Sequence, residues 1–437
     1  DGLARALEAR PAQALAPREL ATIVWACGKL RAGRRGLAAR LRAELSQHLG
    51  RLERFNAQDL ANVVYGFGLL AERDDAALGE ICRHVPPRLA EFSTQESCNV
   101  LYALALLRFR DEPFLAAACA ALAGRAGAMN EQELANGAYA CALLTFRDDT
   151  FLSALCGQAQ TRIEDFKAQG VSNLAYALGV LGFRHDAALG AVAGRAGGAL
   201  PKFSAQGISN IVYAFGLLEY RRLPFLEAVA AEMKVRGLDK FDPQHLSNML
   251  YAFARLALAP EGLVPALCDH MPSRLERFKP QELSNSVYAL AHLRVDRGDF
   301  LAAFCGHVRA RLPAFSEQNL SNTAYSLALL GFRHEPFLHA LADHAAGRLG
   351  EFKTQGIANV MYALGLLDFR HRALLVALSD ALCARAVGQP DGPGEQEWAN
   401  VLYASGRLAF RHAPLLRAAA AWLRGEAAAA VAGADGG

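Results

Sequence analysis

Glutamine, asparagine and tyrosine recur in this sequence as Gln-x-x-x-Asn-x-x-Tyr, a spacing that places the three side chains on one face of an α-helix. Amides donate and accept hydrogen bonds, and phenol rings stack on flat groups, so this face suits contacts with bases and phosphates. The sequence contains no Cys-x-x-Cys, His-x-x-x-His, phosphate loop, dinucleotide fingerprint or nucleophile elbow. It therefore predicts no enzyme, no cofactor and no metal site.

The motif repeats along nearly the whole chain. Its steps are 37 residues, except one of 38 and a last one of 41, and a degenerate first copy has Thr22 and Trp25 in the asparagine and tyrosine places. Periods of this size are typical of solenoids, in which each unit buries its apolar face only against its neighbours. The repeated asparagines are Asn62, Asn99, Asn136, Asn173, Asn210, Asn248, Asn285, Asn322, Asn359 and Asn400.

Each unit is predicted to contain two helices. Positions 2, 6, 9 and 12 after the glutamine are mostly apolar, which is helical spacing, and positions 3, 8 and 10 carry small residues that let a neighbouring helix come close. The second helix begins after a Phe-Arg-His/Asp turn. Residues that favour the N-cap precede the first helix at Asn56, Ser93, Asn130, Ser204, Asp242 and Ser316, whereas Lys167, Lys279 and Lys353 are poor caps in the same place.

The predicted fold class is all-α, an α-solenoid of about eleven 37-residue helix-turn-helix repeats. We expect one body over residues 16–424, a leader or the end of a preceding repeat at 1–15, and an Ala/Gly-rich tail at 425–437. The most irregular unit spans Leu256–Pro265, followed by Arg294–Arg297 in the next, and these segments indicate a bend.

Composition limits the classes of function. Of 437 residues 53% are hydrophobic and 20% charged, which supports a large core and excludes disorder as the main state. The net charge of +3 is too small for a polybasic field over the whole chain, so contacts with nucleic acid must come from local rows of charge. No apolar run reaches the roughly 18 residues of a membrane span, so we expect no membrane partner.

Cysteine and histidine occupy repeat positions that indicate structural roles. Nine thinly spread cysteines predict a reducing compartment. Five of them share one small-residue position of the second helix, which favours buried thiols: Cys82, Cys119, Cys156, Cys268 and Cys305. Four histidines stand where Asp74, Asp111 and Asp148 stand in other units, which favours capping over metal binding: His185, His334, His371 and His412.

Arginine forms two columns with one member per repeat. The turn arginines follow the glutamine by 15 residues and are candidates for phosphate contact: Arg73, Arg110, Arg147, Arg184, Arg221, Arg333, Arg370 and Arg411. The hairpin arginines precede the repeat aromatic by four: Arg51, Arg88, Arg125, Arg162, Arg274, Arg311 and Arg348. Both columns lie at predicted helix C-termini, so capping of carbonyls is the alternative role, and at most one column is expected to face a ligand.

The residues beside the glutamine vary between repeats, as base-reading positions would. The candidates are Asp59, Glu96, Glu133, His245, Glu282 and Asn319 after it, and Thr94, Glu317 and Thr354 before it. Surface drift with carboxylates at helix N-termini is the alternative explanation. For the invariant Gln, Asn and Tyr two interpretations also stay open. They tie the backbone of one repeat to the next, or they form a surface that contacts RNA without reading its sequence.

The phrase Phe-x-x-Gln-x-Leu-Ser/Ala-Asn-x-x-Tyr-Ala, in 37–38-residue units over residues 16–424, resembles the octotricopeptide repeat. It is also similar to repeats of FAST-kinase-like proteins and of helical-repeat subunits of kinetoplastid RNA-editing substrate-binding complexes. Tyr stands where many octotricopeptide repeats carry Trp, which only Trp25 keeps, and no RAP-type domain is visible. The resemblance implies organellar RNA binding, in a mitochondrion or chloroplast, and reader positions in the first turn of the first helix.

We therefore expect a non-catalytic protein that binds single-stranded RNA and acts in the processing, stability, editing or translation of organellar RNA. Further subunits of an RNA-processing complex are the other expected partners, and no small-molecule substrate is expected. The alternative is a protein–protein interaction scaffold of the armadillo or HEAT kind. A continuous cationic face would favour RNA, whereas exposed apolar patches would favour the scaffold.

Overall fold

The computed structural model describes residues 15–32, 35–386 and 392–425. Within these residues the chain forms 22 α-helices and no β-strand. The helices alternate between an A helix, which carries the Gln-x-x-x-Asn-x-x-Tyr motif or its degenerate copy, and a B helix. Eleven A–B pairs follow one another along the chain. The all-α fold class and the eleven two-helix repeats are thus confirmed.

The helices are numbered in chain order, so that odd numbers are A helices and even numbers are B helices. They are α1 Pro17–Lys29, α2 Arg35–Ser46, α3 Ala57–Leu70, α4 Asp75–His84, α5 Thr94–Leu106, α6 Glu112–Ala123, α7 Glu131–Leu143, α8 Asp149–Arg162, α9 Ala168–Val180, α10 Asp186–Gly197, α11 Ala205–Leu217, α12 Leu223–Arg236, α13 Pro243–Arg255, α14 Leu263–His270, α15 Pro280–His292, α16 Gly298–Arg309, α17 Glu317–Leu329, α18 Glu335–Ala346, α19 Thr354–Leu366, α20 Arg372–Ala386, α21 Glu395–Arg407 and α22 Ala413–Leu423.

Short 3₁₀ helices connect the end of most B helices to the repeat aromatic. They are Leu49–Arg54, Pro86–Glu91, Ala126–Ala128, Ile163–Asp165, Leu200–Lys202, Leu238–Lys240, Pro272–Arg277 and Leu312–Ala314. The irregular repeat noted in the sequence has a B helix, α14, of only eight residues, which starts after a left-handed Gly262.

By its internal contacts the chain divides into two compact units, Asp1–Glu232 and Met233–Gly437, and each is described by itself. The first unit holds α1 to α11 and most of α12, and the second holds α13 to α22. The expectation of a single body over 16–424 stays a prediction. The expected leader and tail lie outside the described residues, apart from Leu15 and Gly425.

Side-chain caps start five of the A helices as the sequence predicts, whereas Asp242, the sixth candidate, makes no side-chain cap hydrogen bond. Asn56, Ser93, Asn130, Ser204 and Ser316 each accept a hydrogen bond from a backbone N–H in the first turn of an A helix. Among the described residues, seven B helices have a side-chain cap, which is Asp74, Asp111 or Asp148 in three of them. In the other four, Nδ1 of a histidine accepts from the backbone N–H three residues on: His185, His334, His371 and His412. The predicted capping role of these histidines is confirmed.

Within each unit, successive A helices pack against one another through the predicted small residues. A Cβ added to Gly179 in α9 would lie 2.6 Å from Cα of Ala214 in α11, and one added to Gly66 in α3 would lie 2.5 Å from the carbonyl oxygen of Val24 in α1. Only glycine permits these approaches. The B helices pack against one another on the other side, where the five repeat cysteines are buried as expected and burial raises the pKa of Cys156 to about 12.

Candidate nucleic-acid interface

The A-face stripe, defined as the motif Gln, Asn and Tyr of each A helix, lies at the surface in every repeat that has the motif. All ten glutamines are exposed, all ten asparagines are partly exposed, and the tyrosines are partly or fully exposed. The stripe begins in the first turn of the helix, where the N-cap residues fix the backbone, and runs toward the C-terminal end. Two of its three members are primary amides, so it presents both donors and acceptors to solvent.

The amides of the stripe have almost no partners within the protein. Among the described residues, the side chains of nine of the ten Gln–Asn pairs make no hydrogen bond, and the exception is Gln396, whose Nε2 donates to Oδ1 of Asn400 at 3.0 Å. The interpretation that these amides tie the backbone of one repeat to the next is therefore not supported by the hydrogen bonds. Each unpaired amide keeps its full capacity for a ligand.

The motif tyrosines of the A helices form a row in each unit, and the rings of several neighbouring repeats pair. In the first unit the ring centroids of Tyr139 and Tyr176 lie 5.9 Å apart. In the second unit Tyr362 lies 6.1 Å from Tyr325 and 5.4 Å from Tyr403. Partial burial, and secondarily the neighbouring tyrosines, raise the pKa of Tyr102 and Tyr139, so these phenols stay neutral donors at physiological pH.

The stripe lines clefts that span several repeats. In the first unit one cleft is bounded by Tyr65, Tyr102, Gln132, Asn136, Lys167, Gln169 and Asn173, and the next by Tyr102, Tyr139, Gln169, Asn173, Lys202, Gln206 and Asn210. In the second unit a cleft is bounded by Gln318, Asn322, Lys353, Gln355 and Asn359. Because Tyr65 of the second repeat shares a cleft with Asn173 of the fifth, the A-helix face is concave over this stretch.

An apolar row continues the stripe in the first unit, four residues beyond each tyrosine. Leu106, Leu143 and Val180 are 36–39% exposed, and Leu69 and Leu217 are partly exposed. At the same position the second unit has Arg255, His292, Leu329, Leu366 and Arg407. Sequence reasoning missed this row, although its position 11 residues after the glutamine continues the helical 0, 4, 7 pattern.

The base-reading candidates mostly face the backbone of their own helix. The carboxylates of Glu96, Glu133 and Glu282 accept from the N–H of their N-cap residues, which is capping-box geometry, and Nδ1 of His245 accepts from the N–H of Asp242. Asp59 and Thr354 are buried. Thr94, Glu317 and Asn319 are partly exposed, and of the nine candidates only Glu317 lines one of the clefts described above.

Five turn arginines bind the next repeat. The guanidinium of Arg147 donates to the carbonyl oxygens of Leu181 at 3.2 Å and Gly182 at 3.0 Å, where the next A helix ends, and to Oδ1 of Asp149 at 2.6 Å. The same pattern holds at Arg73, Arg110, Arg184 and Arg333. These side chains remain 43–49% exposed. In the described residues Arg221, Arg370 and Arg411 are exposed and have no partner.

Five hairpin arginines join the two ends of their own repeat, whereas Arg274 binds the carboxylate of Asp239. Nη1 of Arg125 donates at 2.7 Å to the carbonyl oxygen of Phe92, the residue before the N-cap of the same repeat. Equivalent bonds join Arg88 to Phe55, Arg162 to Met129, Arg311 to Phe278 and Arg348 to Phe315. The two columns therefore lie at opposite ends of the A helices.

The three lysines that replace N-cap residues are functional candidates that sequence reasoning set aside. Lys167, Lys279 and Lys353 are exposed, give no side-chain cap, and have no ion pair or hydrogen bond from their ammonium groups among the described residues. The sequence could have identified these lysines, because a cation is unfavourable at the positive N-terminal end of a helix and needs another reason to be there.

Two further features bear on the class of site. In the part of the chain that the structure describes, no three His, Cys, Asp or Glu side chains are grouped as metal ligands. No helix there is long and apolar enough to span a membrane.

Paired helices in sequence-periodic repeats, with an unpaired amide and tyrosine face, define a helical-repeat protein. The chain belongs to the family of the RNA-editing substrate-binding complex 6 protein, whose model matches residues 4–298 and 308–413.

Among solved structures, the crystal structure of the pentatricopeptide repeat protein PPR10 from maize is 14% identical, with 99% of this chain and 72% of that chain covered and a TM-score of 0.42. A homology model of the full-length AP-3 complex in an intermediate open conformation is 10% identical, with 93% and 82% covered and a TM-score of 0.34. No curated protein matches the chain.

Proposed function

We propose that this protein binds single-stranded RNA along the A-face stripe and acts, without catalysis of its own, in an RNA-editing substrate-binding complex. The observation that carries the proposal is the row of unpaired glutamine and asparagine amides beside tyrosines that pair between several neighbouring repeats. Exposed amides and aromatic rings are the groups by which proteins contact the edges and faces of unpaired bases. The family supports the editing process and the presence of partner subunits.

The tyrosine row limits how a base can bind. A base inserted between two rings needs carbon contacts of about 3.5 Å on each face, or about 7 Å in all. In the four tyrosine pairs Tyr139–Tyr176, Tyr251–Tyr288, Tyr325–Tyr362 and Tyr362–Tyr403, the ring centroids lie only 5.4–6.1 Å apart. We therefore place bases against the row, with their edges at the amides, and expect little sequence discrimination because these residues do not change between repeats.

Only a few arginines of the two columns are available to bind RNA phosphates in this proposal. A phosphate at Arg73, Arg110, Arg147, Arg184 or Arg333 has to displace a carboxylate that already binds the guanidinium. Arg221, Arg370 and Arg411 are the turn arginines available for phosphate as they stand. The finer resemblance to octotricopeptide repeats, and one nucleotide for each repeat, belong to the same proposal. We place the protein in the mitochondrion, which the resemblance to editing-complex subunits implies.

The test is the affinity for random single-stranded RNA, measured by fluorescence anisotropy across a salt series. We expect binding at low salt with a log–log slope of several units. A variant with Gln132→Ala, Asn136→Ala, Gln169→Ala and Asn173→Ala should bind at least tenfold more weakly, since each lost hydrogen bond contributes about 0.5–1.5 kcal/mol.

The matched control is Gln160→Ala, an exposed amide on the B helix α8. Because the four cleft amides have no partner in the protein, the quadruple variant should unfold at the same temperature as the parent. Unchanged RNA affinity of that variant, or no binding by the parent at low salt, would refute the proposal.

A protein-docking scaffold is the second candidate function, and the half-exposed row of Leu106, Leu143 and Val180 favours it. Polar replacements of these three residues should then abolish association with other subunits of the complex and leave RNA binding unaffected. Loss of RNA affinity in the same variant would assign the row to RNA.

A further inference from the structure

Lysine occupies the N-cap of three A helices, α9, α15 and α19, at a cost to helix stability. Equivalent repeats have Ser93, Ser204 and Ser316, whose hydroxyls accept a first-turn N–H. Lysine has no acceptor, and its charge is repelled by the helix N-terminus, so lysine is less favourable than serine at this position.

Two of these lysines lie in clefts of the A-face stripe. Lys167 shares its cleft with the amides of Gln132, Asn136, Gln169 and Asn173, and Lys353 shares another with those of Gln318, Asn322, Gln355 and Asn359. A third lysine, Lys202 in the 3₁₀ helix Leu200–Lys202, lines the next cleft of the first unit, together with the amides of Gln206 and Asn210. One cation therefore stands at the N-terminal edge of each described cleft.

The carboxylates of the same clefts do not neutralise these cations. Glu131 lines the cleft of Lys167 and Glu317 that of Lys353, yet neither forms an ion pair with the lysine. An ammonium group with three free donors beside neutral amides is suited to the oxygens of a phosphodiester.

We propose that Lys167, Lys202, Lys279 and Lys353 bind phosphates of the RNA and fix the strand along the N-terminal edge of the A helices. The backbone then runs past the N-caps, and the bases reach inward to the amides and tyrosines. The inference rests on the proposed RNA binding and specifies its contact residues. It assigns the phosphate contacts to the end of the A helices opposite the turn arginines.

The experiment uses the full chain with Lys167→Ser, Lys279→Ser and Lys353→Ser, measured against random single-stranded RNA over a salt series. With about 0.7 counterions released for each single-strand phosphate, the salt slope should fall by about 2, and the affinity at about 0.1 M salt should fall roughly tenfold or more. Because serine restores a cap, the thermal unfolding temperature should stay the same or rise. A weaker binder that is equally or more stable excludes misfolding as the cause.

Two further triple variants with the same change in charge are the controls. Arg83→Gln, Arg309→Gln and Arg417→Gln remove exposed cations from B helices, and Arg221→Gln, Arg370→Gln and Arg411→Gln remove the unpartnered turn arginines. We expect both slopes to change less than that of the lysine variant, and Lys→Arg at the three N-caps to retain binding.

The outcomes separate the inference from the function on which it rests. If the parent does not bind RNA, the proposed function fails. If the parent binds and the lysine variant loses no more affinity than the B-helix control, RNA binding stands and the lysine assignment is overturned. A larger loss in the turn-arginine variant would move the phosphate path to the other end of the A helices.

Discussion

The two ends of the A helices present polar rows that both recur at the repeat period in the sequence and differ in what they bind. Toward the N-terminal end, the amides of Gln132 and Asn136 have no partner in the protein. At the C-terminal end, Arg147 donates to two carbonyl oxygens and to a carboxylate. Recurrence alone therefore does not separate a structural residue from a ligand-binding one. The hydrogen bonds do.

The difference has a physical origin in the ends of helices. The last carbonyls of an A helix have no partner within the helix, and the guanidinium of the preceding repeat satisfies them. The glutamine is the second residue of each A helix that has the motif and the asparagine lies about one turn further on, and in nine of the ten repeats neither side chain makes a hydrogen bond among the described residues. These amides therefore satisfy no helix end, which supports the proposed contact with a ligand.

Tight packing between A helices holds both rows in place, and its disruption should have the largest effect. Gly179→Ala puts a methyl group 2.6 Å from Cα of Ala214, so the free energy of unfolding should fall by about 1–3 kcal/mol. Gly194→Ala on the B helix α10 meets nothing within 4 Å and should raise it by up to about 1 kcal/mol. Urea unfolding of both variants checks this, and equal effects would show that close packing between A helices does not limit stability.

Removing one partnered and one unpartnered side chain tests the comparison directly. Arg125→Ala loses the bond to the carbonyl oxygen of Phe92 and should lower the free energy of unfolding by about 2 kcal/mol. Asn136→Ala should change it by less than about 0.5 kcal/mol, because no bond is lost. RNA affinity should respond in the opposite order. A destabilised Asn136→Ala protein would mean that the stripe is structural.

Substitutions just after the C-terminal end of the A helices should change stability without changing the A-face stripe. Each A helix is followed by a left-handed residue, which is Ala409 (φ 47°) after α21 and Gly331 (φ 66°) after α17. Ala409→Gly should raise the free energy of unfolding by about 1 kcal/mol, and Gly331→Ala should lower it by a similar amount. Thermal unfolding of the two variants measures both signs, and RNA affinity should not change in either.

The smallest expected effect is a dependence on pH at the hairpin arginines of the second unit. Nη1 of Arg348 donates to Nε2 of His344 at 2.7 Å, so the imidazole must be neutral, and burial, then Arg348, lower the pKa of His344. Because this pKa is lower in the folded chain, the unfolded chain binds the proton first as pH falls below about 6.5. Stability should therefore fall from pH 7.5 to 5.5.

His344→Gln keeps an acceptor oxygen and should flatten that pH dependence. The matched reference is His339→Gln, a more exposed histidine on the same helix α18. If the two variants show the same pH profile as the parent, His344 does not contribute to it.

Much of the fold could be predicted because it depends on local signals that repeat. Asn130 and Ser204 mark helix starts through caps, and Gly179 marks a close approach, since each acts within a few residues or at a fixed period. The division into two units could not be predicted, because it depends on the sum of weak contacts over many repeats.

The candidate site was only partly predictable from the sequence, because side-chain conformation and contacts between repeats decide which groups face a ligand. The stripe follows from helical geometry, but whether Glu133 faces a ligand or its own N-cap depends on side-chain torsions that residue type does not set. The sequence leaves two roles for Arg147, phosphate contact and carbonyl capping. It does not show that the guanidinium reaches carbonyl oxygens 34 and 35 residues further along the chain.

That reach has a consequence for how such a chain can change in length. The carbonyl oxygens that a turn arginine binds belong to the following repeat, and those that a hairpin arginine binds belong to its own repeat. Excising or duplicating one 37-residue segment in frame would therefore rejoin equivalent donors and acceptors at the new junction. Genetic recombination between copies could thus add or remove binding positions one at a time without leaving a broken bond behind.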